Sequence, residues 1–339
     1  MKALTGVKPV TIYEVARRAG VSIATVSRAL RGSELVAAET LTRVRAAADE
    51  LDFRPSRLGR SLAEGRHAAN GIVFPDLVGP YYAEVVLAYE EVASDLGRSV
   101  LILATHRRRD AVDRVLELAQ RVDGMAIMGN TVDDDTVERI AAAGIPVVLL
   151  ARPPVGDLDT IRTRNEETAV ELAQHIVHHG HRRVVFLGDP DASPDVAGRY
   201  LGLSRGLRLA RRARPAVVPI ELDVEAGEAA TRRLLARQPR PDALVCANDE
   251  VALGAHLAAE EAGLRVPTDL AITGWDDILG ARFAGLTTVR QPMRDLGATA
   301  ARWLHERLED PARPVRQQVL PTQLVVRRSC GIHHPEVER

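Results

Sequence analysis

From position 11 apolar residues recur at helical spacing, with Ile12, Val15, Ala16 and Ala19 at i, i+3, i+4 and i+7. Thr11 before them and Glu14 three residues later form a capping-box pattern, and Gly20 supplies the stop. After Gly20-Val21, Ser22 predicts the cap of a second helix that turns Val26, Ala29 and Leu30 inward and ends at Gly32. A third helix over 37–51 offers Leu41, Val44, Ala48 and Leu51 as the stripe that closes a three-helix core. Residues 1–53 therefore predict a small unit able to fold alone.

From 70 onward the rhythm changes. Short Val/Ile/Leu runs at 71–74, 100–103, 125–128, 147–150, 184–187, 244–246 and 270–273 alternate with helical patterns, such as Val85, Val86, Tyr89, Val92 and Leu96. That alternation predicts an α/β body of parallel sheets built from βαβ units. Between head and body, 54–69 fits neither pattern. Pro55 starts a run that alternates arginine with apolar residues, yet the run is far shorter than the roughly 12 to 15 residues an isolated helix needs. Gly59 weakens it further, by about 1 kcal/mol against alanine. The segment reads either as a solvated linker or as a hinge that is disordered in the free protein and becomes helical when paired with a twin on DNA. In the second case Leu58 and Leu62 enter the minor groove.

Length supports this modularity: 339 residues exceed one ordinary core. No apolar run approaches the roughly 20 residues needed to cross a bilayer, and the first ten residues lack a secretory pattern. With only Cys246 and Cys330, and no CxxC spacing, a cytoplasmic location is expected and neither a zinc nor a redox motif is indicated. Charge separates head from body. Through Arg66 the chain carries twelve Lys and Arg against seven Asp and Glu, a net of +5, while the whole chain is −1. A basic head on an acidic body suits a polyanionic partner for the head alone.

The outward positions of the second helix, Ser22, Ile23, Ala24, Thr25, Ser27 and Arg28, make a small, nearly uncharged face that fits a major groove. Arg28 can donate two bonds to guanine, Ile23 and Ala24 can touch a thymine methyl, and the three hydroxyls suit phosphates. An exposed arginine among serines is also what any small helical domain presents. Three other signals are declined. Gly202-Leu203-Ser204-Arg205-Gly206 has nucleophile spacing but falls inside a predicted helix over 195–210, not at a strand-to-helix turn. His178, His179 and His181 around Gly180 read as a helix C-terminus, not a metal site. Asp133-Asp134-Asp135 reads as a helix start without calcium-loop spacing. Catalytic residues, cofactor and metal are accordingly expected to be absent.

Thr11-Ile12-Tyr13-Glu14-Val15-Ala16, Ala19-Gly20-Val21-Ser22, Thr25-Val26-Ser27-Arg28 and the 54–62 run resemble the LacI/GalR family of bacterial repressors. So, in order, do Arg121-Val122-Asp123-Gly124, His178-His179-Gly180-His181, Ala247-Asn248-Asp249-Glu250, Gly263-Leu264-Arg265-Val266-Pro267, Gly274-Trp275-Asp276, Leu286-Thr287-Thr288-Val289 and Val326-Arg327-Arg328-Ser329. The resemblance implies a homodimer on palindromic double-stranded operator DNA. It places Thr11, Tyr13 and the Ser22–Arg28 face on the DNA with Ser56, Arg57, Leu58, Arg60 and Leu62. Relatives usually carry Asn at 56 and Ala at 59, so Ser56 and Gly59 imply a costlier hinge and weaker operator binding. The body is implied to be periplasmic-binding-protein-like, 70–330, followed by a 331–339 tail. Lobe one would be 70–162 plus a return after 290, and lobe two 163–289.

Ligands of such sheets sit beyond the carboxyl ends of the strands, which nominates Asp76, Asn248, Asp249, Trp275 and Asp276. The resemblance adds Tyr81 and Tyr82 as an aromatic wall and Arg199 as a polar partner, a set that suits a sugar. Each has a plainer alternative: packed tyrosines, helix-capping aspartates, a structural ion pair. Polar Ser193 and Asp195 depart from the purine-binding pattern of the family, so a purine effector is disfavoured. Two other classes remain to be distinguished: a transport solute-binding protein, opposed by the basic head, and an α/β enzyme, for which no Walker or GxGxxG setting appears. The end at Arg339 lacks a leucine heptad, so a dimer is expected rather than a tetramer.

Overall fold

The computed structural model describes residues 10–30, 35–53, 67–105 and 108–331. The chain divides into two compact units, 1–68 and 69–339. In the first, α1 (Ile12–Ala19), α2 (Ile23–Leu30) and α3 (Ala38–Glu50) pack pairwise. The backbone N–H of Thr11 donates to Glu14 Oε2 at 2.7 Å, one half of the expected capping box. Gly20, at φ +66°, turns the chain so that Val21 N reaches the Ala16 carbonyl at 3.1 Å. Ser22 Oγ then accepts from Thr25 N at 3.1 Å and starts α2. Val15, Val26 and Val44 meet at the centre of the resulting core, with Leu41 and Leu51 at its edge. The expected stop at Gly32 and the 54–62 hinge, with Ser56, Arg57, Leu58, Arg60 and Leu62, lie outside the described residues.

The second unit has two lobes. Lobe one begins with β1 (Ala69–Phe74), α4 (Pro80–Asp95), β2 (Ser99–Ala104), α5 (Ala111–Ala119), β3 (Gly124–Met128), α6 (Asp134–Ala142), β4 (Val147–Leu150) and β5 (Asp159–Thr163). Lobe two follows with α7 (Glu166–His178), β6 (Val184–Leu187), α8 (Pro194–Leu209), β7 (Ala216–Val218), α9 (Val224–Leu235), β8 (Ala243–Cys246), α10 (Asp249–Glu261), β9 (Ala271–Thr273) and α11 (Leu279–Ala284). Through β10 (Thr288–Arg290) the chain returns to lobe one as α12 (Met293–Glu309) and β11 (Gln317–Leu320), then leaves again along β12 (Gln323–Val325).

All pairings in the first sheet, ordered β11-β5-β4-β3-β1-β2, and in the second, ordered β7-β6-β8-β9, are parallel. The antiparallel pair β10–β12 forms two of the three crossings between lobes among the described residues. Along β1, strand alternation sends Ile72 and Phe74 against Tyr89 of α4 and Leu304 of α12, while Val73 joins Val115 of α5 and Ile140 of α6 on the other face. Helices on both faces explain why these strands are continuously apolar.

The declined nucleophile pattern has a packing explanation. Gly202 and Gly206 lie in mid-α8, where an added Cβ would stand 2.2 Å from the Glu166 carbonyl oxygen and 2.5 Å from Ala173 Cβ of α7. The glycine spacing thus brings two helix backbones together and leaves the serine between them within the helix. Gly202→Ala is expected to separate α7 from α8 and cost about 1–3 kcal/mol, read as a lower urea midpoint at unchanged m. Asp133 caps α6, its Oδ1 accepting from Thr136 N at 2.9 Å.

Candidate functional site

On the head, burying Val26 and Ala29 turns the opposite side of α2 to solvent. Ser22, Ile23, Ala24 and Arg28 are exposed and Thr25 and Ser27 half-buried; Thr11 and Tyr13 are exposed on and before α1. The Ser22 and Thr25 hydroxyls bond to each other at 2.8 Å, so reaching a phosphate means sharing or breaking that bond.

In the body, the carboxyl ends of the strands converge on a buried cationic residue. Arg199 rises from the first half of α8, where its Nε donates to Asn165 Oδ1 at 3.1 Å and its Nη1 to the Ala247 carbonyl at 2.6 Å. Asp195 Oδ2 and Asp276 Oδ1 stand 4.0 and 3.9 Å from Nη2, and the guanidinium lies 4.9 Å from the Trp275 ring centroid. Asn165 Nδ2 also donates to Asp195 Oδ1 at 2.9 Å, and Gln291 Nε2 to Asp276 Oδ1 at 3.2 Å. One guanidinium thus serves two buried carboxylates. Burial lifts the Asp276 carboxyl to about 7, with Arg199 pulling it back only in part; the Asp195 carboxyl is raised for the same reason.

Lobe one closes the site with aromatic rings. Tyr81 and Tyr82 open α4, 5.3 Å apart in an edge-on arrangement, with Phe74 a further 5.6 Å from Tyr82. Burial raises both phenols, Tyr82 to about 12, and the charges of Asp195 and Asp276 add to this, which puts the rings opposite the lobe-two carboxylates. Tyr81 Oη, Trp275 Nε1 and Gln291 Oε1 are shielded from solvent and carry no hydrogen-bond partner. Asp76 follows β1, its Oδ1 accepting from Leu77 N at 2.6 Å. Gly79 fits only without a side chain: at φ +88°, an added Cβ would stand 2.2 Å from Glu250 Oε2 of the other lobe.

Asn248 and Asp249 stand one step back. Asn248 Oδ1 caps α10 at Val251 N while its Nδ2 reaches the Leu222 carbonyl. Asp249 is fully buried and accepts from Thr288 Oγ1 at 2.6 Å and Ile278 N at 2.9 Å. Those bonds hold the 275–278 loop, in which Asp276 and Asp277 take left-handed φ values of 117° and 61°. Such backbone costs of order 1–3 kcal/mol and persists where its surroundings fix it. Here it aims Trp275 and Asp276 at Arg199.

Residues 11–56 match the family of bacterial regulatory proteins, lacI family, and residues 173–330 a periplasmic binding protein-like domain. The HTH-type transcriptional repressor PurR of Mannheimia succiniciproducens is 32% identical over 327 residues, covering 94% of this chain and 98% of that protein. The chain belongs to the lacI family. Among solved structures, the lac repressor dimer bound to operator and the anti-inducer ONPF matches this lacI-family chain at TM-score 0.83 and 31% identity, over 96% of this chain and all of that one. The complex of the transcriptional regulator CelR with cellobiose matches at 0.71 and 29%, over 94% and 99%. The head, the two lobes and the parallel sheets of this lacI-family protein are those its sequence predicts. Sequence reasoning missed Asn165 and Gln291, which orient Arg199 and Asp276, and treated Asp195 only as a mark of specificity.

Proposed function

We propose that the chain is a ligand-responsive transcription repressor that binds a palindromic operator as a homodimer, with a sugar or sugar derivative setting its DNA affinity. The observation that carries this reading is the exposed, small-residue face of α2 on a self-contained three-helix head, in a family of regulators. In this reading Arg28 reads guanine while Ile23 and Ala24 touch bases, and Thr11, Tyr13, Ser22, Thr25 and Ser27 hold the backbone. Ser56, Arg57, Leu58, Arg60 and Leu62 extend the contact. The protein works in the cytoplasm, nucleoid-associated when DNA-bound, and is not an enzyme; no described helix is long and apolar enough to cross a membrane.

In the body, Tyr81 and Tyr82 stack on the CH face of a sugar, and Asp76, Arg199, Trp275 and Asp276 bond its hydroxyls. Asn248 and Asp249 shape the floor. Two charged groups plus a donor without a partner suit a molecule that both donates and accepts, as the cellobiose held by CelR does. Ligand closing the lobes changes DNA affinity only by its differential affinity for the two states, about 1–3 kcal/mol of coupling.

Duplexes selected from a random palindromic pool, titrated by anisotropy with and without ribose, cellobiose or a purine base, test the whole reading. A sugar that shifts both the melting temperature and the operator affinity supports it; a purine that does so overturns the ligand class. Arg28→Ala is expected to lower affinity for the selected duplex by about 1–3 kcal/mol while leaving nonspecific binding nearly unchanged. Equal losses on both duplexes make Arg28 a phosphate contact instead.

A further inference from the structure

Away from the cleft, the C-terminal end of α7 meets the last described residues of the chain. His175 and His179, spaced i and i+4, place two imidazoles on one face of that helix end, their rings 4.8 Å apart. Cys330, which follows β12, brings its sulfur 3.2 Å from His175 Nε2. One ligand atom from each of the three residues lies within 4.8 Å of the others. His178, His179 and His181 lack helical i, i+4 metal spacing, but the fold brings His175 and Cys330 to His179.

We propose that His175, His179 and Cys330 form a binding site for a thiophilic divalent cation of the zinc type. With metal–sulfur and metal–nitrogen bonds of roughly 2.3 and 2.0–2.1 Å, tetrahedral coordination sets neighbouring ligand atoms about 3.5 Å apart. The His175–Cys330 pair already has nearly that separation, and the widest pair must close by about 1 Å, within reach of imidazole rotation. Both imidazoles are half-buried while Cys330 is fully buried, so the ion enters from the histidine side. Neighbouring groups frame the sulfur. Thr287 Oγ1 stands 2.9 Å from it, His181 Nε2 bonds the Cys330 carbonyl at 2.8 Å, and Gly331 leaves room for His179, whose Nδ1 would be 2.2 Å from a Cβ there. Arg327, three residues before Cys330, is drawn away to Asp277 and the Leu286 carbonyl.

Thiolate with imidazole selects zinc or its analogues over calcium or magnesium. Binding exchanges the thiol proton for the metal: the S–H bond breaks, a sulfur–metal bond forms, and the proton passes to solvent, so affinity rises with pH. Because Cys330 lies on the segment that β12 carries across from lobe one, the ion pins this crossing, the last among the described residues, to α7 of lobe two. The cleft is untouched.

Cobalt(II) titrated into the full chain tests this. A thiolate-to-cobalt charge-transfer band with intense tetrahedral visible bands is expected at one equivalent, and zinc should remove them. Cys330→Ser should lose the charge-transfer band, and His175→Gln and His179→Gln should each weaken zinc binding at least roughly 100-fold against a competing chelator. His178→Gln should bind as the parent does. Circular dichroism melting in chelator establishes that each variant is folded. No charge-transfer band in the parent overturns the site, as does a band that survives Cys330→Ser or affinity indifferent to His175→Gln.

Discussion

Arg199→Met is expected to destabilise the body by about 3–5 kcal/mol and to abolish any melting-temperature rise caused by an effector. Methionine approximates the aliphatic stem, so the loss isolates the guanidinium. Asp195 and Asp276 are left facing each other without a cation, and Asn165 Oδ1 and the Ala247 carbonyl lose their donor. Removing one member of a buried pair costs more than the pair contributes, because the remaining charge stays buried. Burial already predisposes both carboxyls to protonation, so the penalty should be smaller at pH 6 than at pH 8. Urea denaturation at the two pH values, with cellobiose and ribose melts alongside, is the check. Parental stability with a full ligand shift would remove Arg199 from the site.

The head and most of the body were legible because each rests on a strong periodic signal. Strand runs at 147–150 and 184–187 coincide with β4 and β7's neighbour β6, since sheets covered on both faces demand unbroken Val, Ile and Leu. What escaped were strands with polar or very short sequences. β5 reads Asp-Thr-Ile-Arg-Thr and β10 only Thr-Val-Arg, held in place by pairing with β4 and β12 rather than by their own pattern. Asn165 and Gln291 follow those two strands, so the rule that ligands gather at strand ends passed them over. Long-range pairing also hid the meeting of α7 with residue 330, since nothing local in either segment signals the other.

The individual site residues divide by what the chain already asks of them. Asp249 was nominated because it follows a strand, but the same position lets it bind the 275–278 loop and β10, which spends both of its oxygens. Asp276 keeps lone pairs available, as Gln291 occupies only one direction at 3.2 Å. Sequence position alone does not separate a ligand-facing aspartate from one that shapes the floor; the hydrogen-bond partners do.

Asp276→Asn should flatten the pH dependence of stability. Burial disfavours the charge and lifts the carboxyl from its ordinary 3.8 to about 7 in the folded protein. Between those values the folded state holds a proton that the unfolded chain has released, so stability falls as pH rises from about 4 towards 7. Below that window both states are protonated and the favourable contribution is fully present; above it both are ionised and the contribution is gone. At about 1.36 kcal/mol per unit this amounts to roughly 4 kcal/mol across the window. Asparagine has no proton to lose, so the variant's curve should be shallower by about that amount, and at pH 8 it should gain on the parent relative to their difference at pH 4. Ligand response should move the opposite way in the parent. A sugar hydroxyl donating to Asp276 favours its ionised form, so the effector-induced melting shift should grow from pH 6 to pH 8 and lose that growth in Asp276→Asn. Urea unfolding across pH 4–8 measures the first effect and ligand melts the second; a variant that keeps the parental slope would show that the proton resides elsewhere in the cluster.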